Sequence, residues 1–409
     1  MLSSARRAEL KVGIVGGSIS RGSTLRSESD SYAAVLGRMP GIRVLNRAVG
    51  ATGCVGASYC LDQMLPEAVD VVVIEFAAND AGGCVGSGEW RFASYESSVS
   101  GQRIDPEAAM ERLLWRVALR RLPDAPVPLL LHVCNPRCGR AASRCERLYS
   151  GVAEALGVRR LSLQNSSQAN RSQLAQVHWE REHPDKAGHF LIADLVRNAL
   201  RDATRTPLQP RPPATPRVVV SPQDGRPSAE AQAAWRCHSC DWHGCTQFAP
   251  RRRGGFALDN GGALRREPNA HAKKWGWTAT VDSGGGESTV PAGGGDVGGV
   301  RPELAFRVPA AARVLVAFLC SYQPGAGNAS VSLWRTDISG PASVVDRGAQ
   351  AAAHNVVLRW AHPSSQQCLF EAARTGAEGT WEVRVAALAG LVKVFGLYHT
   401  VDMGTVTDR

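Results

Sequence analysis

The chain has 409 residues, which is long for one domain and suggests two or three. Hydrophobic residues make up 44% of it and charged residues 21%, values near globular averages that argue against wholesale disorder. The formal charge is +10, but the basic residues form short scattered runs and do not alternate with aromatic residues as in a nucleic-acid groove. We therefore expect no nucleic-acid partner and interpret the charge as a solvated basic surface.

The sequence predicts no transmembrane helix, because no apolar run reaches 18 residues. Residues 1–9 lack the apolar core of a signal peptide. The 11 cysteines and three Asn-X-Ser patterns instead favour a secretory-pathway or extracellular location. These indications conflict, so the location stays open, and nothing in the sequence indicates an oligomeric state.

From residue 11 to about residue 203, short apolar runs alternate with amphipathic stretches. Strands buried on both faces and alternating with helices are typical of a parallel sheet covered on both sides. The sequence therefore predicts an α/β domain whose active site lies at the carboxyl ends of the strands. The predicted strands are 11–15, 42–48, 69–76, 127–133 and 158–163, and the predicted helices are 31–38, 61–68, 106–121, 141–156 and 187–200.

The composition changes after this first domain, which we delimit as 9–203. Residues 204–232 are rich in proline and polar residues and are interpreted as a linker, or alternatively as a long ordered loop. Residues 233–409 contain short strand patterns separated by Gly, Pro, Ser and Asp turns, which favour a β-sandwich or jelly roll. The predicted strands there are 304–308, 313–319, 329–334, 355–360, 380–388 and 392–397.

A candidate nucleophile, Ser18, follows the first predicted strand in the run Gly16-Gly17-Ser18. Serine is a weak nucleophile until a base takes its proton. His183, near the other end of the domain, can accept that proton and later give it to the leaving group. Glu180, three residues earlier, can hold the imidazole in one tautomer and stabilise its cation. Taken alone, the Gly-Gly-Ser run is more typical of an ordinary turn.

Two further positions can donate hydrogen bonds to an oxyanion. Gly50 follows the second predicted strand and offers a backbone N–H, and Asn79 follows the strongest strand and offers a side-chain amide. With the N–H of Ser18, three donors would converge on one oxygen, each contributing roughly 3 kcal/mol to catalysis. Alternatively, Asn79 and Asp80 form a turn or a helix cap.

The four blocks that contain Ser18, Gly50, Asn79 and His183, in this order, resemble those of the SGNH (GDSL-like) hydrolases. The family takes its name from the same four residue types, and a Pro and then a Gly-His pair follow the histidine here as they do in the family. The resemblance covers about half of the chain. It implies a flavodoxin-like three-layer α/β/α fold and hydrolysis of acyl esters with no metal and no cofactor.

Three positions depart from the usual family pattern. Gly17 precedes the nucleophile where Asp is common, and Ala78 precedes the oxyanion asparagine where Gly is usual. The third triad residue is usually Asp, but here it is Glu180, whose additional methylene moves the carboxylate. Because the family can also work with a Ser–His dyad, the resemblance leaves a Ser-His-Glu triad and a dyad both open.

A cluster of metal-ligand residue types follows the predicted linker. Cys237, Cys240 and Cys245 enclose two histidines, His238 and His243. Such residues can bind zinc, but no second Cys-X-X-Cys follows at zinc-ribbon spacing. We therefore favour disulfides or free thiols and predict no metal site.

Other cysteines are close enough along the chain for local disulfides, although their connectivity cannot be read from the sequence. Cys54 and Cys60 form one such group, and Cys134, Cys138 and Cys145 form another.

The tryptophans of the second domain have two interpretations. They fill the core of the sandwich, which we favour, or some of them stack on sugar rings. Trp-Gly-Trp and Ser-Tyr segments there also resemble, more loosely, the C-terminal β-domains of some eukaryotic GDSL-like proteins. These tryptophans are Trp275, Trp277, Trp334, Trp360 and Trp381.

The leading functional hypothesis is a serine esterase acting on an acyl ester, of which an O-acetyl group on a glycan is one example. Two alternatives remain open. One is a catalytically inactive SGNH fold that serves as a carbohydrate-binding or adhesion protein. The other is a glycan O-acyltransferase, in which a sugar hydroxyl replaces water.

Overall fold

In the computed structural model the described residues belong to two compact units, the first containing those up to Arg205 and the second those from Ala234 onwards. The limits 9–203, 204–232 and 233–409 stay predictions, and residues 206–232 of the proposed linker lie outside the described ranges. These ranges are 9–50, 52–65, 68–81, 106–119, 126–166, 171–205, 234–239, 251–253, 257–259, 276–281, 302–308, 310, 312–320, 327–336, 350–357, 366–375 and 379–401.

A five-stranded parallel sheet forms the centre of the first unit, in the order β2-β1-β3-β4-β5. This is the flavodoxin-like order, in which ligands bind where the winding direction reverses, between β1 and β3. All five residues of β3 are buried, as expected for a strand covered on both faces. The strands are β1 (Leu10–Gly16), β2 (Ile42–Asn46), β3 (Val71–Glu75), β4 (Val127–His132) and β5 (Arg159–Ser162).

Helices connect these strands, and together the layers confirm the predicted α/β/α fold. A small two-stranded antiparallel ladder, β6 (Trp179–Glu180) with β7 (His183–Pro184), precedes the last helix. The helices are α1 (Ser18–Arg21), α2 (Tyr32–Gly37), α3 (Cys54–Met64), α4 (Ala77–Asp80), α5 (Pro106–Leu119), α6 (Arg140–Arg147), α7 (Ser150–Ala155), α8 (Arg171–Gln176) and α9 (Lys186–Arg205).

Two helix predictions in this unit are wrong in their limits. The helix expected at 61–68 is α3, which begins seven residues earlier because the backbone N–H of Cys54 donates to the buried Asp80 carboxylate at 2.9 Å. The helix expected at 141–156 is interrupted between α6 and α7, where Tyr149 has a left-handed φ of 66°. The Tyr149 hydroxyl donates to the same Asp80, so one distant carboxylate fixes both features.

The second unit consists of antiparallel strands, as predicted for a mainly-β domain. Its described residues include a cluster of buried apolar side chains, among them Phe306, Phe318 and Val383. The strands are β8 (Ala234–Ser239), β9 (Arg251–Arg253), β10 (Ala257–Asp259), β11 (Gly276–Val281), β12 (Glu303–Val308), β13 (Arg313–Cys320), β14 (Asn328–Arg335), β15 (Gln350–Val357), β16 (Gln366–Arg374) and β17 (Trp381–Val401).

The strands predicted at 380–388 and 392–397 are one strand, the 21-residue β17. Its first half pairs with β12 and β14, and its second half pairs with β8, β11 and β13. Register shifts against β13 and β14 show where β17 is irregular, as β-bulges allow in a long strand. The sequence signal for a turn near Gly390 was therefore misleading, because partners on both sides keep the backbone extended.

Two tryptophans of this unit have described surroundings. Trp381 is buried in the core, as the favoured interpretation expects. Trp334 is partly exposed, and the guanidinium of Arg384 lies 4.6 Å from the centre of its ring. In the described part of the chain, no helix is long and apolar enough to cross a lipid bilayer.

Candidate active site

Ser18 and His183 are 165 positions apart in the sequence and in direct contact in the fold. The Ser18 Oγ lies 2.7 Å from the His183 Nε2, a normal hydrogen-bond distance. Ser18 begins α1 directly after β1, and His183 lies on β7 just before α9. Ser18 is 8% exposed and His183 is partly exposed.

The turn before Ser18 is tight enough to require its two glycines. A Cβ at Gly16 would lie 2.4 Å from the Ser20 Oγ and 2.8 Å from the backbone oxygen of Glu75. A Cβ at Gly17 would lie 2.5 Å from the Asn79 Nδ2. Because the Asn79 amide fills this space, an Asp side chain, which is common at this position in the family, has no room at residue 17.

The side-chain amide of Asn79 is fixed beside this turn. Its Nδ2 donates to the backbone oxygen of Thr52 at 2.6 Å, which leaves its second N–H for another acceptor. Thr52 is itself held, because its Oγ1 donates to the backbone oxygen of Val49 at 2.7 Å. The sequence did not indicate Thr52, since a backbone carbonyl that orients an amide has no residue-type signature.

Gly50 lies next to the same turn. The backbone N–H of its neighbour Val49 donates to the Gly16 oxygen at 2.9 Å, which ties the segment after β2 to the end of β1. Among the described residues, no oxygen accepts from the backbone N–H of either Gly50 or Ser18. The structure therefore brings the three predicted oxyanion donors into one neighbourhood around residues 16–18.

Glu180 does not contact the His183 ring. It is paired with His183 in the β6–β7 ladder, but its side chain is exposed. Among the described residues, no carboxylate forms a hydrogen bond with the imidazole of His183. The His183 ring therefore contacts the Ser18 side chain, whereas Glu180 is a neighbour of His183 only through the backbone pairing of the ladder.

The segment that carries His183 is held by several polar contacts. The backbone N–H of Asp185 donates to the His178 oxygen at 2.8 Å, and the Asp185 Oδ1 accepts from the Gly188 N–H at 3.0 Å. The Asn135 Nδ2 donates to the backbone oxygen of Arg181. The sequence gives no sign of this role for Asn135, which follows β4 and belongs to no motif.

A buried network of hydrogen bonds connects α1 to the end of β3. The Glu75 carboxylate, at the end of β3, accepts from both the backbone N–H and the Oγ of Ser20, at 3.2 and 2.9 Å. The Ser20 Oγ is also 2.7 Å from the Tyr32 hydroxyl. Burial raises the pKa of Glu75 from 4.5 to about 8, although the hydrogen bonds from Ser20 oppose the rise.

His189 lies close to the site but is fully buried. Its Nδ1 accepts from the backbone N–H of Tyr32 at 3.2 Å, and its ring stacks near the Tyr32 ring. Burial lowers the pKa of His189 to about 4, and the nearby His183 adds to this effect. His189 is therefore a neutral packing residue.

The cysteines near the site are partly paired. Cys134 and Cys145 form a disulfide, whereas Cys54 is a buried free thiol, so Cys54 and Cys60 do not pair with each other. The side chains of His132, Cys134 and Glu146 lie close together, but the disulfide removes Cys134 as a metal ligand.

The cluster after the predicted linker is only partly described. Cys237 and His238 lie on β8. Cys240, His243 and Cys245 lie outside the described residues, so the zinc and disulfide interpretations of this cluster stay predictions.

The parallel sheet and the position of Ser18 and His183 at its carboxyl edge place the first unit in the fold class expected from the SGNH resemblance. Comparisons with protein-family models and with curated protein sequences find no match for this chain. Among solved structures, a two-domain esterase active on acetylated mannans, co-crystallised with mannopentaose, has a similar fold. It has 16% sequence identity and a TM-score of 0.56 over 96% of this chain and 91% of that chain.

A second structure of a two-domain esterase active on acetylated mannans gives 15% identity and a TM-score of 0.55, over 96% of this chain and 92% of that chain. A putative lipolytic protein of the G-D-S-L family from Desulfitobacterium hafniense DCB-2 covers 46% of this chain and 99% of its own. Its identity is 16% and its TM-score is 0.35. At these identities, the two-domain likeness establishes the fold and nothing further.

Proposed function

We propose that this chain is a serine hydrolase that cleaves acyl esters, with Ser18 as nucleophile and His183 as general base. The observation that carries the proposal is the 2.7 Å contact between the Ser18 Oγ and the His183 Nε2 at the carboxyl edge of the sheet. At this distance the imidazole is within reach of the hydroxyl proton, as a general base must be.

The reaction proceeds in two halves. The Ser18 Oγ attacks the ester carbonyl while His183 takes its proton, and the protonated imidazole then gives that proton to the leaving alcohol. Water, whose proton His183 takes in the same way, attacks the acyl-serine. The bond from the acyl carbon to the Ser18 Oγ breaks, the acid leaves, and the imidazolium returns its proton to the Ser18 Oγ. The backbone N–H groups of Ser18 and Gly50 and the free N–H of the Asn79 amide donate to the oxyanion in both halves.

The exposure of Glu180 and its lack of contact with the imidazole support a Ser–His dyad over a Ser-His-Glu triad. In a dyad, the backbone around His183 orients the ring. A carboxylate in contact with the ring would add stabilisation of the imidazolium, and the proposed dyad works without this contribution.

The proposed substrate is an O-acyl ester of a glycan, with acetyl as the leading acyl group. The likeness in fold to an esterase active on acetylated mannans over both units supports this choice, at low identity. Acyl transfer to a sugar hydroxyl is the same chemistry with another acceptor, and it predicts that added acceptor sugar consumes the acyl-enzyme in competition with water.

Fluorophosphonate labelling tests the nucleophile without a guess at the substrate. We expect the wild type and the control variant Ser29→Ala, which alters an exposed serine, to be labelled at the same rate, and Ser18→Ala to be unlabelled. Mass spectrometry of the labelled peptide identifies the modified residue. Equal labelling of wild type and Ser18→Ala would contradict the proposal.

Turnover of p-nitrophenyl acetate and release of acetate from acetylated mannan then separate the hypotheses. We expect the wild type to act on both substrates and Ser18→Ala on neither. If the wild type is neither labelled nor active, the inactive carbohydrate-binding alternative is favoured, and glycan-array binding by the full chain tests it.

A further inference from the structure

The ladder that carries His183 is too small to fix the imidazole by itself. It consists of β6 and β7, each of two residues, joined by Arg181 and Glu182. Two-stranded ladders are marginal in water unless other contacts hold them. Since a displacement of about 1 Å at a catalytic group can cost a factor of about 100 in rate, a second anchor is needed.

The turn in this ladder has an unusual backbone. Arg181 has a φ of 55°, in the left-handed region, which costs a non-glycine residue about 1 kcal/mol or more. Its side chain is exposed and gives no evident local compensation. In this conformation the Arg181 backbone oxygen accepts a hydrogen bond from the Asn135 Nδ2.

Asn135 is well suited to this contact. It lies just after β4 and is 6% exposed, so its side chain has little freedom. Its Oδ1 accepts from the backbone N–H of Arg137 at 2.9 Å, which fixes the orientation of the amide and directs the Nδ2 to Arg181. One buried amide thus connects the rigid sheet to the turn two residues before His183.

We propose that Asn135 is a positioning residue for His183, which it holds in hydrogen-bond contact with Ser18 through the Arg181 carbonyl. This inference rests on the proposed function, because it assigns to Asn135 the orienting task that Glu180 does not perform. Asn135 touches neither the nucleophile nor the base in the described contacts, and it acts through the backbone of the β6–β7 turn.

The variant Asn135→Asp tests this role with little change of shape. The carboxylate can still accept from the Arg137 N–H, but it cannot donate to the Arg181 oxygen and repels it. We expect kcat on p-nitrophenyl acetate to fall at least tenfold with KM changed less than threefold. The fluorophosphonate labelling rate should fall by the same factor as kcat.

The pH dependence of kcat distinguishes a positioning role of Asn135 from a purely structural one. When protonated, the carboxyl group introduced by Asn135→Asp regains an O–H donor for the Arg181 oxygen. We therefore expect the ratio of variant to wild-type kcat for Asn135→Asp to rise as the pH is lowered towards about 5, while the ratio for Asn135→Ala stays constant.

Asn165→Asp is the matched control, because Asn165 also donates through its Nδ2, at 3.1 Å, but in an exposed hydrogen bond to the Glu146 carboxylate. We expect its kcat to equal that of the wild type. Equal kcat in wild type and Asn135→Asp, or an equal loss in Asn165→Asp, would overturn the positioning role. Asn135→Ser replaces Asn135→Asp in the same comparison if the latter does not fold.

A crystal structure of Asn135→Asp tests the inference without a measurement of activity. We expect the distance from the Ser18 Oγ to the His183 Nε2 to exceed about 3.5 Å, beyond hydrogen-bond range, or the turn to adopt another conformation. An unchanged 2.7 Å contact would refute the inference even if the wild type proves inactive, whereas failure of wild-type labelling alone would refute only the proposed function.

Discussion

At the scale of single residues, the site is defined by what each side chain contacts. Ser18 and His183 contact each other, and Asn79 is held against Gly17 and Thr52. The Glu180 side chain contacts none of them, although it has the position in sequence that the family resemblance gives to the third triad residue. A position three residues before the histidine is enough to suggest a triad carboxylate. The backbone of the β6–β7 ladder, however, decides where that carboxylate lies.

The variant Glu180→Gln tests the dyad. Because the Glu180 side chain is exposed and does not contact His183, we expect kcat on p-nitrophenyl acetate to fall less than threefold. His183→Gln serves as the positive control and should lower kcat by about 10⁴ or more. A loss for Glu180→Gln comparable to that of His183→Gln would restore the triad.

The tight turn before Ser18 leads to a second prediction. In Gly17→Ala, the added Cβ would lie 2.5 Å from the Asn79 Nδ2, so the amide must move away from the oxyanion. We expect kcat to fall at least tenfold, with a smaller change in KM, in steady-state kinetics on p-nitrophenyl acetate. Gly151→Ala is the matched control, since a Cβ there meets nothing within 4 Å; an equal loss in this variant would contradict the explanation.

At the scale of elements, helix α1 is attached to β3 by the Glu75–Ser20 hydrogen bonds. This buried carboxyl binds its proton more tightly in the folded chain, with a pKa of about 8, than in the unfolded chain, where the value is near 4.5. Its stabilising contribution is therefore fully present below pH 4.5 and is lost as the pH rises through about 8.

The variant Glu75→Gln removes this titration and keeps the shape. We expect the difference in unfolding free energy, wild type minus Glu75→Gln, to fall with rising pH by up to about 1.4 kcal/mol per pH unit between about pH 5 and 8. Urea unfolding at a series of pH values measures it. A difference independent of pH would show that Glu75 does not titrate in this range.

Some helices and strands could be predicted from local sequence patterns and others could not. The central strands β3 and β4 could be predicted because continuous apolar runs of this length are typical of buried parallel strands. The start of α3 and the interruption at Tyr149 could not, since both depend on Asp80, which is distant in sequence. The unbroken β17 depends in the same way on partners along both of its halves.

At the scale of the whole molecule, the chain has two units with separate apolar cores, and every residue of the candidate site belongs to the first. The second unit resembles, in fold, part of an esterase active on acetylated mannans, which is the reason for the glycan proposal. The chemical steps proposed above use described residues of the first unit.

A pair of core variants tests this division. Phe306 and Phe76 are both fully buried, the first in the second unit and the second in the strand-to-helix turn just before Asn79. We expect Phe306→Ala to lower the unfolding free energy by about 3–5 kcal/mol and to leave the labelling rate of Ser18 unchanged where the protein is folded. Phe76→Ala should lower both the unfolding free energy and the labelling rate of Ser18. Thermal unfolding and fluorophosphonate labelling measure these two quantities.

If Phe306→Ala slowed labelling as much as Phe76→Ala under folding conditions, the first unit would not be sufficient for the site. That outcome would locate a contribution to the chemistry in the second unit.

The sequence by itself predicted the layered α/β fold and the mainly-β second domain, because strand patterning is a local property. The type and order of four residues suggested Ser18, Gly50, Asn79 and His183 as candidate site residues. Only the tertiary structure decided that the Glu180 side chain lies apart from the imidazole and that burial raises the pKa of Glu75. It also decided that the Thr52 oxygen accepts from the Asn79 amide and that the Asn135 amide donates to the β6–β7 turn. Each of these depends on which groups distant in sequence become neighbours and on how much water burial removes, and neither quantity is encoded in a short segment of the chain.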